Sequence, residues 1–119
     1  MENEEKEIIK FHDWQKFDIR VGKILKAEPI EGTDTLYKIE VDLGKEKRTI
    51  VSGLRKYYTK EQLEGKRVII FCNLEPRTIR GIESKGMVLA AVTYDKKGKE
   101  KECKLLKPDD KIELGARVC

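Results

Sequence analysis

The stretch that decides the fold is RTIVSGLRKYYTKEQLEGKRVIIFC, residues 48–72. It begins with a short segment rich in β-branched residues, 48–52, and ends with the continuous apolar run 67–72, which is typical of a central strand. Between these segments, Thr59 and Gln62 have the spacing of a capping box, which predicts one short helix through Leu63. Gly65 would end that helix. The stretch therefore predicts a strand, a connecting helix and another strand.

Two more strands are predicted on the N-terminal side of this stretch. Residues 18–27 alternate polar and apolar side chains, as a half-buried strand does. Gly22 within them predicts a bulge or a sharp bend, because glycine packs poorly in a straight strand. Residues 36–43 alternate in the same way, and Gly44 and Lys45 predict a hairpin turn into residues 48–52.

On the C-terminal side, residues 86–94 predict a fifth strand. A turn at residues 97–98, a mixed strand near 102–106 and a turn at 108–110 follow. Five strands with one helix between the third and the fourth is the order of the OB-fold, a small, partly open Greek-key barrel. We therefore expect an all-β, five-stranded OB-fold with one short connecting helix and a C-terminal β extension. Residues 1–12 are expected to form an acidic lead-in, and residues 13–119 the folded domain with its extension.

Length and composition restrict the class of protein. The chain has 119 residues, about one ordinary domain, and 40% of them are charged, against roughly 25% in an average soluble protein. No apolar run approaches the roughly 20 residues that cross a bilayer, and the N-terminus MENEEKEIIK is polar and acidic. Neither a membrane helix nor a signal peptide is predicted, and we expect a soluble, cytoplasmic protein.

The basic charge is concentrated in the middle of the chain. The net charge is only +4, because residues 1–10 hold four Glu and two Lys. Residues 44–85 hold eleven Lys and Arg against five Glu. Such an excess favours a surface that attracts phosphate groups, whose binding weakens as salt rises.

The residues that usually carry catalysis or bind metals are few. Cys72, Cys103 and Cys119 are an odd number with long gaps between them, which favours reduced thiols over disulfides or a metal site. His12 has no neighbouring Cys or His, so a structural or surface role is favoured. The sequence also lacks a Gly-rich nucleotide loop and a catalytic pair. It predicts a protein that is not an enzyme and that holds no metal or cofactor.

Several segments of the chain match a known pattern. They are FDIRVGKILKAEPI (17–30), TDTLYKIEVDLG (33–44), residues 48–91 and LLKPDDKIELGARV (105–118), and the most specific part is NLEPRTIRGIESKGM (73–87). Over residues 13–118 the sequence resembles the tRNA-binding domain family. That family includes the C-terminal domain of many methionyl-tRNA synthetases, a free-standing dimeric tRNA-binding protein and the cytokine-like synthetase cofactors of eukaryotes.

The resemblance implies a homodimeric OB-fold that recognises tRNA by shape and performs no chemistry. It would act in trans with methionyl-tRNA synthetase, or as a detached C-terminal or β portion of that enzyme. Shape recognition agrees with the chemistry of RNA, whose deep major groove keeps side chains away from the bases. A protein can instead contact the phosphates, the 2′-hydroxyls and any exposed bases.

The resemblance also implies which residues face the RNA. Asn73 and Ser84 match family positions on that surface and would form hydrogen bonds to phosphate or ribose, while Met87 is either an adaptable apolar contact or a core residue. A guanidinium near this motif can bind phosphate or stack on a base. The predicted RNA-binding residues are Lys38, Arg48, Ser52, Asn73, Arg77, Arg80, Ser84, Lys85 and Met87. Lys38 faces either the same groove or the solvent.

Three alternatives remain open at this point. The family also includes export-related chaperones that hold unfolded polypeptide, and an exposed apolar groove would favour that function over tRNA binding. The chain is either a free-standing protein or a fragment of a longer synthetase. The apolar tail residues Ile112, Leu114 and Val118 either form a dimer contact or close the barrel.

Relatives often carry His-Pro-Asn-Ala-Asp-Lys-Leu where this chain has residues 30–36, so no RNA contact is expected in that loop.

Overall fold

The computed structural model describes residues 6–119. These residues form two short helices and nine strands: α1 (Phe11–Trp14), β1 (Ile19–Pro29), β2 (Tyr37–Asp42), β3 (Lys47–Ser52), α2 (Lys60–Leu63), β4 (Arg67–Phe71), β5 (Arg77–Ile79), β6 (Ile82–Ser84), β7 (Met87–Val88), β8 (Ala90–Tyr94) and β9 (Glu100–Leu105). Residues 1–5 of the predicted lead-in lie outside the described residues. The boundary at residue 13 stays a prediction.

Five of the strands form one antiparallel sheet in the order β3-β2-β1-β4-β7. The edge strands β3 and β7 contact each other, so the sheet curls into a small barrel. The helix α2 lies between β3 and β4 in the chain, as the sequence predicts. The predicted all-β OB-fold is confirmed.

Strand β1 is long and serves both halves of the barrel. Its residues 19–23 pair with β4 and its residues 23–29 pair with β2. The pairing with β2 shifts between Ile24 and Lys26, so the bulge that the sequence predicts at Gly22 lies about three residues further on. Gly22 has a packing role instead: a Cβ there would lie 3.1 Å from both Ile70 Cγ1 and Leu43 Cδ2.

The connecting helix α2 begins with the predicted capping box. The Gln62 backbone N–H donates to Thr59 Oγ1 at 3.2 Å, and the Thr59 backbone N–H donates to Gln62 Oε1 at 2.8 Å. Leu63, at the end of this helix, is fully buried in the hydrophobic core. The helix is therefore fixed at its start by hydrogen bonds and at its end by apolar burial.

Alternation along the strands places one set of apolar side chains inside the barrel. The fully buried members are Ile24, Ile39, Val41, Ile50, Leu63, Val68 and Ile70. All three cysteines are free, and Cys72 and Cys103 are buried. Burial raises the pKa of both buried thiols, which keeps them protonated and unreactive.

Two regions differ from the sequence prediction. Residues 86–94 are two strands and not one: β7 pairs with β4, and β8 leaves the barrel to form a hairpin with β9. Residues 77–84, for which the sequence predicts no strand, form the β5–β6 hairpin, with Arg80 (φ 54°) and Gly81 (φ 78°) at its turn. Two consecutive left-handed residues are the geometry of a type I′ turn. The pair Arg-Gly lacks the Asn or Asp that usually signals such a turn.

The C-terminal tail completes one edge of the barrel. The Gly115 N–H donates to the Val21 carbonyl at 2.8 Å, and the Val118 N–H donates to the Ile19 carbonyl at 2.7 Å. Residues 115–118 thus run along the half of β1 that does not pair with β2. This part of the tail closes the barrel. Ile112 remains exposed. No helix within residues 6–119 is long and apolar enough to cross a membrane.

Candidate nucleic-acid interface

Two hollows lie side by side on one face of the barrel, separated by the exposed side chain of Leu74. The first, the central groove, has a volume of about 280 Å³ and is bounded by β3, β7 and the β5–β6 hairpin. The second, the side groove, has a volume of about 440 Å³ and lies beside the β2–β3 turn. Leu74 lines both, so they form one continuous surface.

Seven of the nine predicted residues line these two grooves. Ser52, Arg77, Ser84 and Met87 line the central groove. Arg48, Asn73 and Lys85 line the side groove. The fold therefore brings together residues that are up to 39 positions apart in the sequence.

The other two predicted residues lie outside the grooves. Arg80 is at the turn of the β5–β6 hairpin, where its Nη2 donates to the Gly32 carbonyl at 3.2 Å. Lys38 is on β2, paired with Val51 on one side and Glu28 on the other. The structure does not bring Lys38 into the groove.

Ser84 and Asn73 form their hydrogen bonds within the protein. Ser84 is only 6% exposed; its Oγ accepts a bond of 2.9 Å from the Val51 N–H and donates to the Gly86 carbonyl at 3.4 Å. Asn73 accepts from the Asp18 N–H at 2.8 Å and donates to the Lys16 carbonyl at 2.7 Å. The sequence predicted that both would bond to RNA. In the structure these bonds attach the β5–β6 hairpin and the segment before β1 to the barrel.

Arg48 is also held by the protein. Its guanidinium donates to the Cys72 carbonyl and pairs with the Glu46 carboxylate, with Nη2 and Oε1 2.8 Å apart. This connects the β2–β3 turn to the end of β4. The charge remains beside the side groove, but its direction is fixed before any ligand arrives.

Three predicted residues present their side chains to the solvent. The side chain of Arg77, on β5, forms no hydrogen bond or ion pair within residues 6–119 and is exposed. Lys85 has a long contact of 3.7 Å with Glu83, and both side chains are more than half exposed, so this pair contributes little. Met87 is 42% exposed. It is a surface residue of the groove and not a core residue.

Sequence reasoning missed Leu74, which is 36% exposed and separates the two grooves. Its signal was an apolar residue within the otherwise polar segment 73–77. Gly86 has a structural role: its φ is +125°, and a Cβ there would lie only 2.9 Å from the Phe71 carbonyl oxygen. The backbone thus approaches β4 closely just before Met87, which lines the groove.

The arrangement combines an apolar floor with a cationic rim. Leu74, Ile79 and Met87 provide surface on which a base can stack, while Arg77 and Lys85 provide unpaired or weakly paired cations for phosphates. Glu75 also lines the central groove. Within the described residues no three His, Cys, Asp or Glu side chains are grouped as metal ligands.

Comparison with known proteins gives a match over most of the chain. The family model of the tRNA-binding domain matches residues 19–117. The chain belongs to the tRNA-binding domain family. It is 49% identical to the methionine–tRNA ligase of Pyrococcus horikoshii over 117 residues, which is 98% of this chain and 15% of the ligase. The chain thus spans about 15% of the length of this curated relative.

Two solved structures are similar to this chain over almost its whole length. A methionyl-tRNA-synthetase-related protein from P. horikoshii has a TM-score of 0.83 and 38% identity, with 96% of this chain and all of that chain covered. The CsaA chaperone of Picrophilus torridus has a TM-score of 0.80 and 30% identity, covering 94% of this chain and all of the other. The sequence resemblance is confirmed, and the chain is homologous to the tRNA-binding domain of methionyl-tRNA synthetases.

Proposed function

We propose that the chain binds tRNA on the surface formed by the central and side grooves and performs no chemistry itself. The observation that supports this most directly is the position of Arg77, an exposed guanidinium beside the apolar side chains of Leu74 and Met87. An arginine next to an apolar floor can hold a phosphate and a base of the same nucleotide. Membership of the tRNA-binding family supplies the class of RNA.

Binding on this surface depends on shape and charge and reads little sequence. The bonds of Ser84, Asn73 and Arg48 within the protein keep the groove walls in place before RNA arrives. Fewer side chains then have to be ordered on binding, which lowers its entropic cost. The cations of the rim make affinity fall with rising salt.

The proposal includes a cytoplasmic role beside methionyl-tRNA synthetase, either in trans or as a detached portion of such an enzyme. The identity to part of the P. horikoshii ligase supports this association. A tRNA-binding domain near a catalytic subunit raises the effective concentration of tRNA there without any new contact at the active site. A homodimer would double that effect, and the exposed Ile112 of the tail is available for such a contact.

The experiment that tests tRNA binding is a salt titration of affinity on three proteins. The wild type is compared with a groove variant, Arg77→Gln with Lys85→Gln, and with a control variant, Lys66→Gln with Lys111→Gln. The control removes the same charge near the opposite end of β4. The groove variant is expected to bind more weakly than the control, and its salt slope to fall by about 1 for each phosphate that it no longer neutralises.

Two outcomes contradict the proposal. The wild type fails to bind tRNA even at low salt, or the groove variant and the control bind equally well. The CsaA relative makes a chaperone function the second candidate, because Leu74 and Met87 expose apolar surface in the groove. Suppression of the aggregation of an unfolded polypeptide by the wild type, without tRNA binding, would favour that function.

A further inference from the structure

The candidate RNA surface continues beyond the two grooves. A third hollow of about 650 Å³, the hairpin groove, lies between the segment after β3 and the start of β9. Lys56 and Tyr57 are on one side of it, and Lys99 and Glu100 on the other. Gly53 lines both this hollow and the central groove. Leu74 and Gly53 thus join three hollows into a row along one face.

The tip of the β8–β9 hairpin carries cations that nothing in the described residues neutralises. Its sequence is Asp-Lys-Lys-Gly-Lys, residues 95–99. The Asp95 carboxylate is occupied by the turn: its Oδ1 accepts from the Lys97 N–H at 2.8 Å and from the Lys99 N–H at 3.0 Å. Lys96, Lys97 and Lys99 are exposed and form no ion pair within residues 6–119.

Hydrogen bonds hold both ends of β9 against the segment that follows β3. Tyr57 Oη donates to Glu100 Oε1 at 2.7 Å, and the Leu105 N–H donates to Tyr58 Oη at 3.1 Å. The Glu100 carboxylate, which accepts this hydrogen bond, raises the pKa of Tyr57 to about 12. The strand that carries the tip is therefore held against the barrel at both of its ends.

We infer that the tip of the β8–β9 hairpin is a second phosphate-binding site, which contacts the tRNA backbone beyond the nucleotides held in the central groove. The inference rests on the proposed function. Lys56 and Lys99 face the hairpin groove from its two sides, and Lys96 and Lys97 extend the cationic surface past it. No residue of the β8–β9 hairpin lines the central groove. A ligand small enough to fit in the central groove would contact none of these lysines. A folded tRNA would reach both the central groove and the hairpin tip.

The test compares two RNA ligands and three variants. The hairpin variant is Lys96→Gln, Lys97→Gln and Lys99→Gln, the charge-matched control is Lys66→Gln, Lys107→Gln and Lys111→Gln, and the charge-retaining variant replaces the three hairpin lysines with arginine. The ligands are a complete tRNA and a single-stranded RNA of three nucleotides. For tRNA, the hairpin variant is expected to bind about tenfold more weakly near 0.1 M salt, with a salt slope lower by about 2 to 3.

The control and the arginine variant are expected to bind tRNA as the wild type does, and the trinucleotide affinity of the hairpin variant is expected to be unchanged. Thermal unfolding of all variants checks the fold, and these exposed substitutions should barely move it. If the hairpin variant binds tRNA as the control does, while the groove variant is weakened, the second site is wrong and the proposed function stands. If the wild type binds no tRNA, both fail.

Discussion

Two groups of residues line the same pair of grooves and differ in what their polar atoms do. Ser84, Asn73 and Arg48 form their bonds within the protein. Arg77 and Lys85 present theirs to the solvent. We call the first group the anchored residues and the second the presented residues. One short motif, residues 73–87, contains members of both groups, so it specifies the shape of the surface as well as its chemistry.

The difference separates stability from binding. A buried polar group that loses its partner costs free energy because it has already left water. An exposed cation contributes little to the folded state, so its removal costs little stability, but it takes away an attraction for phosphate. Changes at anchored residues should therefore lower stability first, and changes at presented residues should lower affinity alone.

The largest effect on stability is expected for Gly86→Ala, which lines the central groove beside the anchored residue Ser84. The backbone there has a φ of +125°, and the new Cβ would lie 2.9 Å from the Phe71 carbonyl oxygen. Backbone strain and the clash together should lower the free energy of unfolding by about 3 kcal/mol. Urea denaturation measures it. Gly98→Ala is the control, since its φ is +82° with nothing within 4 Å of the added atom. Equal losses in the two variants would show that close packing at Gly86 does not matter.

Ser84→Ala should have the next largest effect. It leaves the Val51 N–H without its acceptor in a buried place, at a cost of about 1–3 kcal/mol. Ser52 lines the same groove and forms no side-chain hydrogen bond within the described residues, so Ser52→Ala should change stability by less than about 0.5 kcal/mol. Thermal unfolding of the two variants compares them directly. The anchored role of Ser84 is wrong if both melt together.

Most of the barrel could be predicted from the sequence because local patterns encode it. Alternation along residues 18–27 and 36–43, and the capping box at Thr59, each follow from periods and spacings that need no tertiary contact. The β5–β6 hairpin could not be predicted in this way. Its turn at Arg80 and Gly81 carries no common turn signal, and its strands are only three residues long. The division of residues 86–94 into β7 and β8 could not be predicted either, because it depends on the strands with which they pair and not on periodicity.

The sequence predicted most of the residues that line the site, but not what each side chain does there. The family resemblance identified the motif, and the fold brings seven of nine predicted residues around two grooves. Whether Ser84 faces RNA or Val51 depends on contacts between residues 33 positions apart, which one sequence does not reveal. The cations of the hairpin tip were not predicted because Lys96, Lys97 and Lys99 lie outside residues 44–85, where the basic excess is concentrated.

A smaller effect on stability separates Asn73 from Arg77. Asn73→Ala removes two bonds that tie the segment before β1 to the barrel, and should lower the free energy of unfolding by about 1 kcal/mol. Arg77→Ala should change it by less than about 0.5 kcal/mol while weakening tRNA binding at low salt. Measuring unfolding and affinity on the same two proteins tests the distinction. An Arg77→Ala protein that unfolds more easily than Asn73→Ala would reverse it.

The smallest effect concerns an anchored carboxylate away from the grooves. Two hydrogen bonds lower the pKa of Glu64: the larger effect comes from Lys60 Nζ and the smaller one from the Ala27 N–H. Because the folded value is below the unfolded one, the ionised group stabilises the fold above the unfolded pKa, and this contribution is lost as pH falls through the folded pKa. Glu64→Gln should therefore melt at a slightly lower temperature than the wild type at pH 7, and the gap should close in acid. Glu31→Gln, in an exposed loop, is the control. A gap that persists at a pH below the folded pKa of Glu64 would mean that the shape of the amide, and not its missing charge, weakens the fold.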